Sequence, residues 1–222
     1  MPTTTPETTA DALARFEAFV LSQQPASKPW QPVTDYSFEA RKAIEGIHPQ
    51  LIRDVFQPRR VTDVGCGFPP ILLDLLRELH VDGIGLDTRA PTGLVHARVS
   101  WFNLGSSYVG IDFWELGSWE SDLVICREVL EHLTVLQIRQ AVTNLCKLST
   151  QFIYVTTRFA KAPQSLLDVD TSDDLDPTHM TMLHQDFLRV LFVLEGFKRR
   201  ADLEERLDWQ HKGRVLVYER VV

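Results

Sequence analysis

The stretch RRVTDVGCGFPPILLDLL, residues 59–76, decides how this chain folds. The β-branched residues Val61, Thr62 and Val64 favour an extended strand whose successive side chains face opposite ways. The strand carries Asp63 and stops at Gly65-Cys66-Gly67. A helix-like apolar run, Ile71 to Leu76, follows at once, and Pro69-Pro70 fits a first helical turn, where a missing N–H is not needed. Glycine between a strand end and a helix start lets the backbone turn tightly and approach a ligand without a Cβ in the way. The amides that open the helix then point into the same crevice.

Two further segments agree with that junction. VDGIGLD, residues 81–87, is an apolar strand ending in a carboxylate about twenty residues after the glycine loop. DLVICREVLEHL, residues 122–133, is a buried-type strand running into a helical pattern. Taken together and in this order, the three segments resemble the class I S-adenosylmethionine-dependent methyltransferases of small-molecule type. The resemblance spans about Val61 to Phe197. It departs from the family pattern at Pro69, where a third glycine is usual. Pro70 stands where a GxGxxG dinucleotide loop wants Gly or Ala, which argues against a nicotinamide or flavin enzyme. A sulfonium cofactor carries no phosphate, so fewer loop amides matter less to it.

The pattern along the chain predicts strands at 60–64, 82–86, 108–112, 121–126 and 151–156, with helices at 70–80 and 134–148 between them. That alternation predicts an α/β fold with a parallel sheet covered on both faces. A helix at about 184–195, a strand near 197–203 and a last strand at 214–221 complete the pattern. The resemblance implies a Rossmann-like, seven-stranded, mostly parallel sheet with an antiparallel last strand. Residues 1–9 read as a disordered tail, 10–57 as an N-terminal helical cap, and 58–222 as the cofactor-binding domain. Within the cap, helices are expected over 10–24 and from about Ser37 to Phe56, with interruption at Gly46 and Pro49.

A net charge of −7 leaves no global basic field for a phosphate backbone. A nucleic-acid partner is therefore disfavoured. Three cysteines without metal-ligand spacing read as reduced, packed thiols. No apolar run approaches membrane-spanning length, and the N-terminus lacks a signal-peptide pattern. The expectation is a cytoplasmic protein with a small-molecule acceptor and no membrane partner; a homodimer is left open.

The resemblance implies S-adenosyl-L-methionine as cofactor and assigns its contacts. Asp63 would accept hydrogen bonds from loop amides or from the methionine amino group, or else only stabilise the turn. Gly65 and Gly67 would let the loop backbone touch the methionine moiety, and Asp87 would take the ribose hydroxyls. Asp112 and Phe113, after the strand YVGID, would meet adenine, with Asn103 as a rival. Arg127 would pass below the methionine, reach an acidic substrate, or pair with a neighbouring acid. Tyr36 and Arg41, near Trp30, would close over the cofactor as part of a lid. His179, in the string Asp176-Pro177-Thr178-His179, is the candidate general base, because neutral imidazole takes a proton near pH 7. His184 reads as a helix cap.

Glu128, Glu131 and His132, completed by His179, also match the metal set of RNA 3′-terminal 2′-O-methyltransferases. The same residues are widespread as a structural pattern, and the acidic balance disfavours RNA, so no metal is assigned. A pseudoenzyme that binds the cofactor without turnover is the alternative from another functional class.

Overall fold

A computed structural model describes residues 42–43, 45–67, 70–87, 99–101, 120–160 and 179–221. The β-branched run forms strand β1, Arg60–Val64. Gly65 then turns the chain at φ +75°. Helix α2, Ile71–Glu78, follows directly after Pro70, and helix α1, His48–Phe56, precedes the strand. The second strand, β2, covers Asp82–Asp87, and β3 covers Val99–Trp101. Strand β4, Ser121–Arg127, leads through a 3₁₀ turn at Leu130–His132 into α3, Val135–Leu148. Then come β5, Ser149–Thr156, α4, Gln185–Leu194, and β6, Phe197–Arg199. Helix α5, Ala201–Leu207, and strand β7, Val215–Arg220, complete the order.

The strands form one sheet in the order β3-β2-β1-β4-β5-β7-β6. All pairs from β3 to β5 are parallel, and β7 runs antiparallel to both β5 and β6. Parallel strands need both faces covered, because their connecting helices lie on them. The alternation along each strand shows how. Val61, Leu123, Ile125, Tyr154 and Val217 face α1, α2 and α5, packing with Ile52, Phe56, Leu72, Leu76 and Leu207. Val64, Val124, Cys126, Val155 and Leu216 face α3 and α4, packing with Ile138, Val142, Leu145, Leu188 and Phe192. Strand β1 lies between β2 and β4, so the order of connection reverses there. Ligands in open α/β sheets bind beyond the strand ends at such a reversal.

The start of α3 follows from a capping box. Thr134 Oγ1 accepts from the Gln137 N–H, and Gln137 Oε1 accepts from the Thr134 N–H at 2.9 Å. Three expectations change. Strand β6 stops at Arg199 rather than near 203, because the Arg200 N–H bonds Val217 O at 2.7 Å and ADLEERL closes into α5. Strand β3, Val99–Trp101, lies where the sequence pattern predicts no strand. In the stretch expected to be helical from Ser37, the interruption falls at Gly46-Ile47 as expected but not at Pro49, which sits in the first turn of α1. Among the described residues no helix is long and apolar enough to cross a membrane. The expected strand at 108–112 and helix at 10–24 lie outside the described residues.

Candidate functional site

Gly65, Cys66 and Gly67 sit at the carboxyl end of β1, and Asp87 sits at the end of the neighbouring β2. Three hydrogen bonds weld them together. The Gly65 N–H donates to Leu86 O at 2.7 Å, the Cys66 N–H to the same carbonyl at 3.4 Å, and the Gly67 N–H to Asp87 Oδ2 at 2.8 Å. A Cβ on Gly65 would lie 2.3 Å from Val129 Cγ2. The loop therefore passes against the segment that follows β4, with room only for glycine.

On the far side of the reversal, Arg127 ends β4 and points across to the chain before α1. Its Nη1 donates to Glu45 Oε2 at 2.9 Å and its Nη2 to Glu45 Oε1 at 2.8 Å, a two-point carboxylate grip. Nη1 also lies 3.0 Å from His48 Nδ1. The same Nδ1 lies 3.3 Å from Glu45 Oε2, and the other ring nitrogen, Nε2, lies 2.8 Å from the Tyr154 hydroxyl. Burial holds His48 below its usual range, so the ring is neutral. Burial pushes Glu45 up, but His48 and Arg127 beside it bring the carboxyl down to about 2. Asp63 is 3% exposed on the same face of the sheet, and burial pushes it up to about 7.

A cavity of about 390 Å³ opens above these groups. Gly65, Cys66 and Gly67 form one wall, Arg127 and Glu128 the floor, and Glu45 and His48 a second wall. The α5–β7 connection supplies Trp209, Gln210, Lys212 and Arg214. That connection is folded on Asp208, whose carboxylate accepts the Lys212 and Gly213 N–H groups at 2.9 and 2.7 Å.

No family model and no curated protein matches this chain. Solved structures do. A SAM dependent methyltransferase from Archaeoglobus fulgidus is 19% identical over 83% of this chain and 95% of its own, with a TM-score of 0.55. The 1,6-didemethyltoxoflavin-N1-methyltransferase of Burkholderia thailandensis is 12% identical over 100% of this chain and 94% of its own, TM-score 0.53. The [4+2]-cyclase SpnF is 13% identical over 95% of this chain and 93% of its own, TM-score 0.52. The fold is that of the class I S-adenosylmethionine-dependent methyltransferases.

Within this methyltransferase fold, Gly65, Gly67 and Arg127 line the cavity, and Asp87, which does not line it, is joined to the loop through the Gly67 N–H. It corrects the role of Asp63 toward the loop: the loop amides are taken by Leu86 O and Asp87, and Asp63 lies on the face below Arg127. Arg127 grips Glu45, the pairing with an acid that the sequence left as one alternative. His179 does not line the cavity; its ring lies 4.7 Å from that of His132. His184 caps α4, its Nδ1 accepting the Asp186 N–H at 3.2 Å. Asp112, Phe113, Asn103, Tyr36, Arg41 and Trp30 lie outside the described residues. Among the described residues no three His, Cys, Asp or Glu side chains are grouped to hold a metal. The Glu131 carboxylate is turned inward instead, accepting from Thr157 Oγ1 at 2.8 Å, while its backbone oxygen accepts from the Met180 and Thr181 N–H groups. Glu45, His48, Tyr154 and the 208–214 connection were not singled out from sequence, since only folding brings them to the cavity.

Burial, helped by the neighbouring Glu128, pushes Glu131 up to about 8. A carboxyl that ionises at about 4.5 when unfolded but only at about 8 when folded loses stability as pH rises through that window. Asp63 adds to the same slope, whereas neutral His48 opposes it below about 6.5. Glu131→Gln isolates the first contribution. Denaturant titrations from pH 4.5 to 8 are expected to show the variant gaining on the parent chain with rising pH, by an amount on the order of a few kcal/mol. Parallel curves would show that Glu131 is ionised in the native state.

Proposed function

We propose that this chain is a methyltransferase that binds S-adenosyl-L-methionine and passes its methyl group to an oxygen or nitrogen of a small-molecule acceptor by direct displacement. The observation that carries the proposal is the Gly65–Gly67 loop fastened to the Asp87 carboxylate at the strand-order reversal, with the cavity opening directly above. Glycine at 65 lets the loop pass against Val129, and a loop without side chains at 65 and 67 suits the backbone approach of an amino-acid moiety. Asp87 is a carboxylate at the end of the second strand, the position suited to two ribose hydroxyls in nucleotide-binding sheets. A cavity of about 390 Å³ falls in the range of small-ligand pockets.

The cofactor supplies a carbon made electrophilic by its sulfonium centre. The residues of this chain bind and orient: Gly65 and Gly67 hold the amino-acid end, Asp87 fixes the ribose, and Glu128 with the 208–214 connection borders the acceptor side. Glu128 adopts φ +51°, rare for a residue with a side chain, and its N–H donates to Thr156 O at 2.8 Å. Asp112 and Phe113 for adenine and the Tyr36 and Arg41 lid complete the proposal, while His179, packed beside His132 away from the cavity, would reach a bound acceptor only if that side of the site moves. The acidic balance favours a small acceptor over RNA, and the reading places the chain in the cytoplasm. Because SpnF shares the fold under the name of a cyclase, binding and transfer are tested separately.

S-adenosylhomocysteine is expected to bind in a calorimeter and, at a hundred times its Kd, to stabilise the chain by about 2.7 kcal/mol. For a chain of this size that raises Tm by roughly 5–10 °C. Absence of binding at millimolar ligand would sink the proposal. Transfer of labelled methyl to a panel of phenols, carboxylic acids, amines and N-heterocycles tests the reaction, and binding without any transfer favours the pseudoenzyme.

A further inference from the structure

The Arg127–Glu45 pair lies inside the ligand cavity, not on the surface: both residues line it beside Gly65, Cys66 and Gly67. Their side chains are only 24% and 14% exposed. A guanidinium in such a place is strongly destabilising unless a carboxylate accompanies it. Glu45 supplies that carboxylate, in the fork geometry that arginine offers to any carboxylate. Arg127 Nε, also buried, has no hydrogen-bond partner among the described residues, so the guanidinium is not fully satisfied by Glu45. The other groups at hand are poor substitutes, since His48 is neutral and Asp63 is only partly ionised near neutral pH.

Glu45 is also built to leave. It precedes Gly46, whose φ of +52° breaks the helix ahead of α1. Helix α1 is held independently, through buried Ile52 and Phe56 and through the His48–Tyr154 contact. Rotation at Gly46 would carry Glu45 into water at the cost of its 3.3 Å contact with His48 Nδ1, while Ile52 and Phe56 stay buried. Meanwhile the glycine loop is short of amides, because Pro70 has no N–H to offer a ligand carboxylate at the start of α2.

We infer that Glu45 is a resident stand-in for the α-carboxylate of the ligand's amino-acid end, and that Arg127 exchanges one carboxylate for the other on binding. The inference rests on the proposed function and specifies how its site takes the amino-acid end. The exchange leaves no buried charge unaccompanied at either end point. It also makes Glu45 a competitor that weakens binding of ligands carrying the carboxylate and leaves others unaffected.

Calorimetry with S-adenosylhomocysteine and with 5′-methylthioadenosine, which lacks the amino-acid end, tests the exchange on the full chain. Glu45→Gln is expected to bind S-adenosylhomocysteine about tenfold more tightly and 5′-methylthioadenosine within about twofold of the parent chain. Arg127→Met is expected to bind S-adenosylhomocysteine about tenfold more weakly, again sparing 5′-methylthioadenosine. Unchanged or weakened S-adenosylhomocysteine binding in Glu45→Gln would overturn the inference, since Glu45 would then be a fixed strut. Hydrogen exchange on the unsubstituted chain avoids any question of variant folding. With S-adenosylhomocysteine bound, amides of residues 45–47 are expected to exchange faster and those of 65–67 slower; no acceleration at 45–47 overturns the exchange. Failure in these arms while both ligands bind leaves the proposed function standing. A parent chain that binds neither ligand removes both.

Discussion

Replacing Gly65 with alanine is expected to weaken S-adenosylhomocysteine binding by about a hundredfold and to destabilise the fold by about 2–5 kcal/mol. Two costs combine. At φ +75° an L side chain crowds its own backbone, worth roughly 1–2 kcal/mol. The new Cβ would also sit 2.3 Å from Val129 Cγ2, and overpacking of that kind costs about 1–3 kcal/mol. Val129 cannot swing aside cheaply, because a β-branched side chain has few rotamers and this one packs against the core. The loop must move instead, and it moves away from the Leu86 and Asp87 acceptors that shape it. Urea titration and calorimetry read the two effects. The double variant Gly65→Ala, Val129→Ala should recover the clash but not the backbone strain, so about half of the lost stability returns. Affinity within about threefold of the parent would show that the loop does not touch the ligand.

Why the loop was legible, and its surroundings less so, follows from the range of the interactions. Strands β1, β2 and β4 are apolar runs ended by glycine or a charged residue, so sequence and structure agree on them closely. Helix α3 is announced by Thr134 and Gln137, three residues apart, which cap each other. Helix α5 was hidden because Leu203 and Leu207, four apart, are its only apolar marks in the charged stretch KRRADLEERL. Its register comes from Arg199, which donates to both Glu204 oxygens, and from Glu204 accepting the Val217 N–H at 3.1 Å. The Arg127–Glu45 grip joins residues 82 apart. Nothing local to either residue encodes it. Asp63 illustrates the opposite hazard: a position beside the glycines invites a loop role, yet strand alternation turns its side chain to the buried face with Ile125 and Arg127.

Asp87→Ala is expected to weaken S-adenosylhomocysteine binding by about 2–4 kcal/mol, or roughly 30- to 1000-fold. The carboxylate does two jobs. One oxygen accepts the Gly67 N–H at 2.8 Å and so fixes the loop. In the proposed function the same carboxylate, at the end of β2, also accepts from the ribose hydroxyls. Charge-assisted hydrogen bonds of this kind contribute about 1.5–3 kcal/mol each. Asp87→Asn separates the jobs, because its amide oxygen still accepts from Gly67 while the charge and one acceptor are lost, and an intermediate loss is expected. Unlike Glu45→Gln, the alanine change should affect 5′-methylthioadenosine as strongly as S-adenosylhomocysteine, since both carry the ribose. The sharper test removes the partner instead. The parent chain should bind 2′-deoxy-S-adenosylhomocysteine at least about tenfold more weakly than the ribose form, whereas Asp87→Ala should scarcely distinguish the two. If Asp87→Ala keeps full preference for the ribose form, another residue reads the 2′-hydroxyl, and Asp87 serves only to hold Gly67 in place.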